Sequence, residues 1–150
     1  MASHVRAMLD RIKARLDCNE PFVSEAIKVV VEEEGDTLKD LLQRLSGIKL
    51  GVVVSCFEFR PKGAGGCDFI VTLTITEKPK INRDEGGTPA REVAVAAQGL
   101  LNGWRPSEQW AELEGQGAER KAAELEGQVM WEAKFAASTM LEYESPQEPQ

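Results

Sequence analysis

Two neighbouring segments with strand periodicity constrain the fold of this chain more than any other feature. The segments 50–59 and 69–77 are rich in β-branched and aromatic residues. In the second segment every other residue from Phe69 to Ile75 is apolar, and threonines occupy positions 72, 74 and 76. This alternation predicts a strand that buries one face and leaves the threonine face half exposed. Because the linker Arg60–Gly66 is short and glycine-rich, the two strands are predicted to pair as an antiparallel hairpin.

Helices and shorter strands flank this hairpin in the sequence. Thr88 followed by Pro89 is typical of an N-cap and a first helical position. Asp36 is likewise predicted to cap a short leucine-rich helix. The predicted elements, in chain order, are a helix over 5–16, a short strand over 26–33, the short helix after Asp36, long strands over about 50–59 and 69–77, a helix over about 89–103 and a late strand over about 129–139.

This order of elements predicts an α+β fold. Strands joined by hairpins indicate a mainly antiparallel or mixed sheet, with about three helices packed on one of its faces. A chain of 150 residues suits one ordinary domain, which we expect over residues 1–141. The segment 142–150 holds two prolines and three glutamates and is predicted to be a flexible C-terminal tail.

The segment 106–127 is rich in Glu, Gln, Gly and Ala, and its structure is difficult to predict. The hexamer Ala-Glu-Leu-Glu-Gly-Gln occurs at 111–116 and again at 123–128. The two copies fit a pair of related strands flanking a loop, but a coincidence or a local duplication is the better explanation of so simple a hexamer.

Composition narrows the classes of partner. Eighteen basic and twenty-five acidic residues give a net charge of −7, which argues against a general nucleic-acid binder. The same charge is compatible with a wall past which DNA slides. No apolar run approaches the roughly 20 residues that cross a bilayer, and the first ten residues have no signal-peptide core. We therefore expect no membrane contact and a location in the cytoplasm where the chain is made.

The sequence offers little for catalysis. His4 is the only histidine, so a serine or cysteine nucleophile lacks the usual base. The cysteines Cys18, Cys56 and Cys67 are widely spaced, which is unsuitable for a zinc site. They are predicted to be reduced thiols, with a Cys56–Cys67 contact across the hairpin as the alternative. We predict no catalytic residue, no metal and no cofactor, and hence no enzyme.

Assembly fits the exposed features better. The two long strands offer edges with which other chains could pair. The segments Arg60–Gly66 and Lys78–Gly87 are predicted to be long loops, and both are basic in an otherwise acidic chain. Their charges are explained either by solvation of the loops or by docking onto an acidic partner surface. The basic candidates for such an interface are Arg60, Lys62, Lys78, Lys80 and Arg83.

One stretch is more specific than composition. The strand 69–77 is followed by Lys-Pro-Lys-Ile-Asn-Arg at 78–83 and by Gly-Gly-Thr at 86–88. The next helix ends in Gly-Trp-Arg-Pro at 103–106. This succession resembles bacteriophage tail-completion and tail-terminator proteins, and the likeness covers residues 5 to 140.

The resemblance implies a structural protein of the virion that caps or terminates the tail tube at the head-proximal end of the tail. It implies a ring, usually a hexamer, that contacts the tail-tube protein and the head connector or neck protein while DNA passes through. Asn82 and Arg83 match the family's loop motif, so they join the interface candidates together with Asp84. The alternatives are a head–tail joining or minor tail protein of similar fold, or a general small α+β binding module.

Overall fold

The computed structural model describes residues 3–63, 66–123 and 127–139. This part of the chain contains five strands and four helices. They are, in chain order, α1 (His4–Asp17), β1 (Lys28–Val31), α2 (Leu38–Gln43), β2 (Leu50–Lys62), β3 (Gly66–Glu77), α3 (Pro79–Asp84), α4 (Ala90–Leu101), β4 (Glu114–Lys121) and β5 (Val129–Ser138). This content confirms the predicted α+β fold. Residues 140–150 lie outside the described part, so the predicted tail at 142–150 stays a prediction.

A single mixed sheet has the strand order β1-β2-β3-β5-β4. The predicted hairpin is confirmed: β2 and β3 pair antiparallel from Leu50 opposite Glu77 to Lys62 opposite Gly66, with one bulge between Ser55 and Glu58. β5 pairs antiparallel with β3, and β4 with β5. β1 is parallel to β2, which makes the sheet mixed.

The main core lies between one face of the sheet and the two long helices. The alternating residues of β3 and β5 point into this core as their period predicts, and all of Val71, Leu73, Ala133 and Phe135 are fully buried. α4 covers these strands and α1 covers β1 and β2. Both helices do so with buried residues at helical spacing (Met8, Leu9, Ile12 and Leu16; Val93, Ala94, Ala97 and Leu101).

The prediction that all helices lie on one face of the sheet is wrong. Leu41 and Leu45, in and just after α2, form a second small cluster with Val53. Val53 points away from the face that carries Val52 and Val54, because neighbouring residues of a strand alternate between faces. α2 therefore covers the opposite face, and Thr74, the partner of Val53 in β3, is buried there although its position predicted partial exposure.

The helix starts differ from the predicted ones because the expected caps bind other groups. The carboxylate of Asp36 accepts hydrogen bonds from Arg44 and from the amide of Glu33. The side chain of Thr37, not Asp36, caps α2, in a reciprocal capping box with Asp40. Thr88 does not cap α4, because its amide and hydroxyl both donate to the carboxylate of Glu25. The N-cap of α4 is Pro89, which makes no side-chain cap bond.

Two predicted loops are largely regular structure. The segment 60–66 is mostly strand, since β2 continues to Lys62 and β3 begins at Gly66. The segment 78–87 contains the helix α3, which begins at Pro79, a residue whose fixed φ suits a first helical turn. The first copy of the repeated hexamer runs into β4, whereas part of the second copy lies outside the described residues.

Candidate assembly surfaces

The predicted basic residues lie at opposite ends of β3 and do not form one patch. Arg60 and Lys62 pair with Asp68 and Gly66 at the start of β3. Lys78 follows the last residue of β3 directly. A strand of this length spans roughly 36 Å at about 3.3 Å per residue. The basic candidates therefore belong to two separate surfaces, which we call the hairpin end and the α3 end.

At the hairpin end, the outer side of β2 loses its strand partner halfway along. β1 pairs only with Gly51–Val54. The carboxylate of Glu32, just past β1, then accepts a hydrogen bond of 2.7 Å from the amide of Cys56. Beyond Cys56, no described strand pairs with this side of β2. We call the segment Phe57–Lys62 the open edge.

The open edge carries exposed aromatic side chains. Phe57 is 53% exposed and Phe59 is 62% exposed. The ring of Phe59 lies 6.0 Å from that of Phe69, which in turn lies 5.6 Å from the buried Trp110. A row of aromatic rings thus extends from the core to the surface, where no element of the described residues covers Phe59. Exposed aromatics beside an unpaired strand are typical of a surface that contacts another chain.

Sequence reasoning missed Phe57 and Phe59 as functional candidates. The available sequence signal was the apolar alternation of β2, which continues into the part of that strand that β1 does not cover. The extent of the β1–β2 pairing, however, becomes visible only in the fold. The predicted role for the long strands needs correction as well. β3 is interior throughout, and only the Phe57–Lys62 half of β2 offers an edge.

The basic residues of the hairpin end are paired within the chain. Arg60 lies 3.4 Å from the carboxylate of Glu58, and Lys62 lies 3.6 Å from that of Asp68. Pro61 has no amide hydrogen, which shortens the run of backbone that a further strand could pair with. The open edge is therefore more apolar than basic, and its contact would depend chiefly on the two phenylalanines.

The far edge of the sheet, β4, has a different character. Most of Glu114–Lys121 is exposed and charged or small. A register shift between Gly115 and Ala118 interrupts its pairing with β5, and Gly117 there has a φ of +86°. Charges and bulges of this kind reduce uncontrolled strand addition but leave backbone groups available to a specific partner.

At the α3 end, a buried polar network connects β3 to α4. Asn82 is fully buried, and its amide donates to Glu77 at 2.6 Å and to the carbonyl of Thr88 at 2.9 Å. The other carboxylate oxygen of Glu77 accepts the amide of Ala90 at 3.1 Å. A negative group at the first turn of α4 also complements the helix dipole. The side-chain oxygen of Asn82 has no partner among the described residues.

Gly87 is part of this network. A Cβ on Gly87 would lie 1.8 Å from the side-chain oxygen of Asn82, which explains why a glycine occupies the position. Asn82 is thus inaccessible to a partner, and its inclusion among exposed interface residues is corrected: it holds α3 against the start of α4.

The surface of α3 carries the remaining candidates. Lys80, Arg83 and Asp84 are exposed, Lys78 is partly exposed, and Ile81 is 49% exposed beside them. Lys78, Lys80, Ile81 and Arg83 line a groove of about 850 Å³ against Gly127–Val129 at the start of β5. We call this the α3 groove. The ion pairs found among the described residues do not include Lys78, Lys80 or Arg83.

The described residues contain no obvious site for chemistry. They include no group of three or more His, Cys, Asp or Glu side chains that could hold a metal ion. Cys18, Cys56 and Cys67 are free, and Cys67 faces Pro61, not Cys56, across the hairpin, so the alternative of a Cys56–Cys67 contact is not found. Burial, reinforced by the negative charge of Glu32, raises the pKa of Cys56 to about 11. Its thiolate is therefore scarce at neutral pH.

No helix in the described part of the chain is both long enough and apolar enough to span a bilayer.

Comparison with known proteins gives one informative finding. No protein-family model matches the chain, and no curated protein sequence matches it significantly. A chain in the solved structure "Virion of native gene transfer agent (GTA) particle" is similar with a TM-score of 0.63 and 13% sequence identity. The match covers 91% of this chain and 98% of that one. This chain therefore has the fold of a component of that virion particle.

Proposed function

We propose that this chain is a structural subunit of a phage-like virion. The observation that carries the proposal is the shared fold with nearly the whole of one chain from a gene transfer agent virion. The exposed phenylalanines of the open edge support it independently, because a subunit that works by assembly needs an apolar contact surface.

More specifically, we propose that the subunit caps or terminates the tail tube as an oligomeric ring and joins it to the head connector. The open edge and β4 lie at opposite edges of the same sheet. Joining the open edge of one copy to β4 of the next is a head-to-tail contact, which closes into a ring when the rotation between copies permits. β2 and β4 run in opposite directions, so such a contact would be antiparallel.

The partners in this proposal are further copies of the chain, the tail-tube protein and the head connector or neck protein. DNA would be a passing strand. The net charge of −7 supports this part, because a negative channel wall does not retain phosphates. The role requires no catalytic residue.

The test is mass photometry of the purified chain over a concentration series, followed by negative-stain electron microscopy. Closed rings of about six copies are expected. The double variant Phe57→Ser/Phe59→Ser should shift assembly to at least tenfold higher concentration, because it removes the apolar contact. The matched control is Val23→Ser/Val95→Ser, which removes two apolar side chains of similar exposure elsewhere (52% and 63%) and should assemble normally.

A chain that stays monomeric at high concentration and also fails to bind isolated tail tubes would contradict the proposal. Rings that bind portal or connector particles but not tail tubes would instead favour a head–tail joining protein. Equal loss of assembly in both double variants would show that the open edge has no special role.

A further inference from the structure

The residues that line the α3 groove are suited to binding an acidic partner. Three cations line it, and no carboxylate does so among its lining residues. This contrasts with the hairpin end, where Arg60 and Lys62 are neutralised by neighbouring acids. Ile81 adds an apolar contact in the middle of the charges. A peptide with several carboxylates and an interleaved apolar side chain would satisfy both features.

The chain itself contains such a peptide. The segment Leu141–Glu148 carries Glu142, Glu144 and Glu148, with Leu141 and Tyr143 between or beside them. No Lys or Arg occurs anywhere from residue 135 to 150. This segment lies outside the described residues and is chemically complementary to the groove: three negative charges match three positive ones, and the apolar side chains match Ile81.

Distance keeps the first part of the segment from the groove of its own subunit. Thr139, its last described neighbour, lies at the hairpin end, bridged to Trp110. The α3 groove borders Val129, at the other end of β5. The two points are ten residues of strand apart, or roughly 33 Å. Glu144 can extend at most about 18 Å beyond Thr139, since an extended chain covers about 3.6 Å per residue. Glu142 and Glu144 therefore cannot reach their own groove.

We propose that the α3 groove binds the acidic segment Leu141–Glu148 of another copy of this chain. The contact deepens the proposed self-assembly, on which it rests, because it names a second surface that joins copies. It also gives the contact a direction: the hairpin end of one copy supplies the segment, and the α3 end of the next receives it.

Charge exchange tests this inference. One variant reverses the groove (Lys80→Glu/Arg83→Glu), and a second reverses the segment (Glu142→Lys/Glu144→Lys/Glu148→Lys). Each alone should weaken association at least tenfold in mass photometry. A mixture of the two should recover association, because each variant then supplies the charge that the other lacks. Arg60→Glu/Lys62→Glu is the control for charge reversal at the hairpin end. Mixing this control with the segment variant should not raise its association.

Cross-linking decides whether the contact joins two copies. Full-length chains with a photoreactive phenylalanine at Tyr143 are mixed with ¹⁵N-labelled wild-type chains, irradiated and mapped by mass spectrometry. Cross-links from the light segment to heavy α3 peptides are expected. Links confined to light chains would overturn the inference, as would links that avoid residues 78–83.

Two outcomes separate this inference from the proposed function. If the wild-type chain forms no oligomer and no light–heavy links, both fail. If rings form normally while the groove and segment variants assemble like wild type, only the inference fails. A defect reproduced by Glu124→Lys/Glu126→Lys but not by the segment variant would identify the acids next to Gly127 as the occupant and would also overturn it.

Discussion

The two ends of the sheet use polar and apolar residues in opposite ways. At the α3 end, a glutamate and an asparagine are buried and hydrogen-bonded, and they fix the geometry of two helices. At the hairpin end, two phenylalanines are exposed while a third is partly buried against the core. Residue type alone therefore does not distinguish the residues that hold the fold together from those that form a contact surface. We expect substitutions in the buried network of the α3 end to change stability and those of the exposed phenylalanines at the hairpin end to change assembly.

Removing the carboxylate of Glu77 should have the largest effect on stability. Glu77→Ala leaves the amides of Asn82 and Ala90 without their acceptor in a buried site. We expect a loss of about 3 kcal/mol or more in the free energy of unfolding, measured with urea. Glu85→Ala, which removes an exposed ion pair with Lys49, should cost less than about 1 kcal/mol. Equal losses for the two variants would show that the buried network contributes no more to stability than a surface ion pair.

The aromatic row should divide into a structural and an exposed member. Phe69→Ala removes the ring that contacts both Phe59 and Trp110, so we expect a loss of about 2–3 kcal/mol. Phe59→Ala removes one exposed partner and should cost about 1 kcal/mol or less. Urea unfolding below the assembly concentration measures both. A larger cost for Phe59→Ala would mean that this ring belongs to the scaffold.

Two glycine-to-alanine substitutions should have opposite signs. Gly87→Ala places a methyl group against Asn82 and should destabilise the chain by about 1–3 kcal/mol. Gly99→Ala lies on the exposed side of α4 with no atom within 4 Å of the new Cβ, so it should stabilise by up to about 1 kcal/mol. Thermal unfolding distinguishes them. A neutral Gly87→Ala would show that the network relaxes easily.

The smallest effect concerns Glu32 beside the open edge. Burial, followed by the nearby charge of Asp36, raises the pKa of Glu32 above its usual 4.5, although the Cys56 amide and Arg6 oppose this. A raised carboxyl pKa in the folded state means that stability from this group is complete below about pH 4.5 and is lost as pH rises through the folded-state value. Glu32→Gln cannot ionise and still accepts the Cys56 amide.

Glu32→Gln should therefore be slightly more stable than wild type at pH 7, and the gain should vanish at pH 4. Unfolding by urea at both pH values is the measurement. A variant that is less stable than wild type at pH 7 would show that the ionised carboxylate stabilises this end of the sheet.

The periodicity of apolar residues predicted the secondary-structure elements but not which groups lie next to them in the fold. The hairpin and the core positions of β3 and β5 followed from alternation, because one buried face imposes a period of two. The short segment at 78–83 was predicted as a loop, since six residues are too few for a helical pattern to be recognisable. Asn82 was predicted on the surface because nothing local indicates that Glu77, five residues earlier, would enclose it.

The α+β class, the central hairpin, the acidic balance and the scarcity of catalytic side chains can all be derived from the amino-acid sequence. These are set by local patterns and by composition, which do not depend on what lies far along the chain. The folded structure was needed to show that β1 ends at Val31 and leaves Phe57 and Phe59 exposed, and that α2 lies on the second face of the sheet. It alone placed the two basic groups at opposite ends of β3. Each of these depends on contacts between distant residues, and no local pattern encodes them.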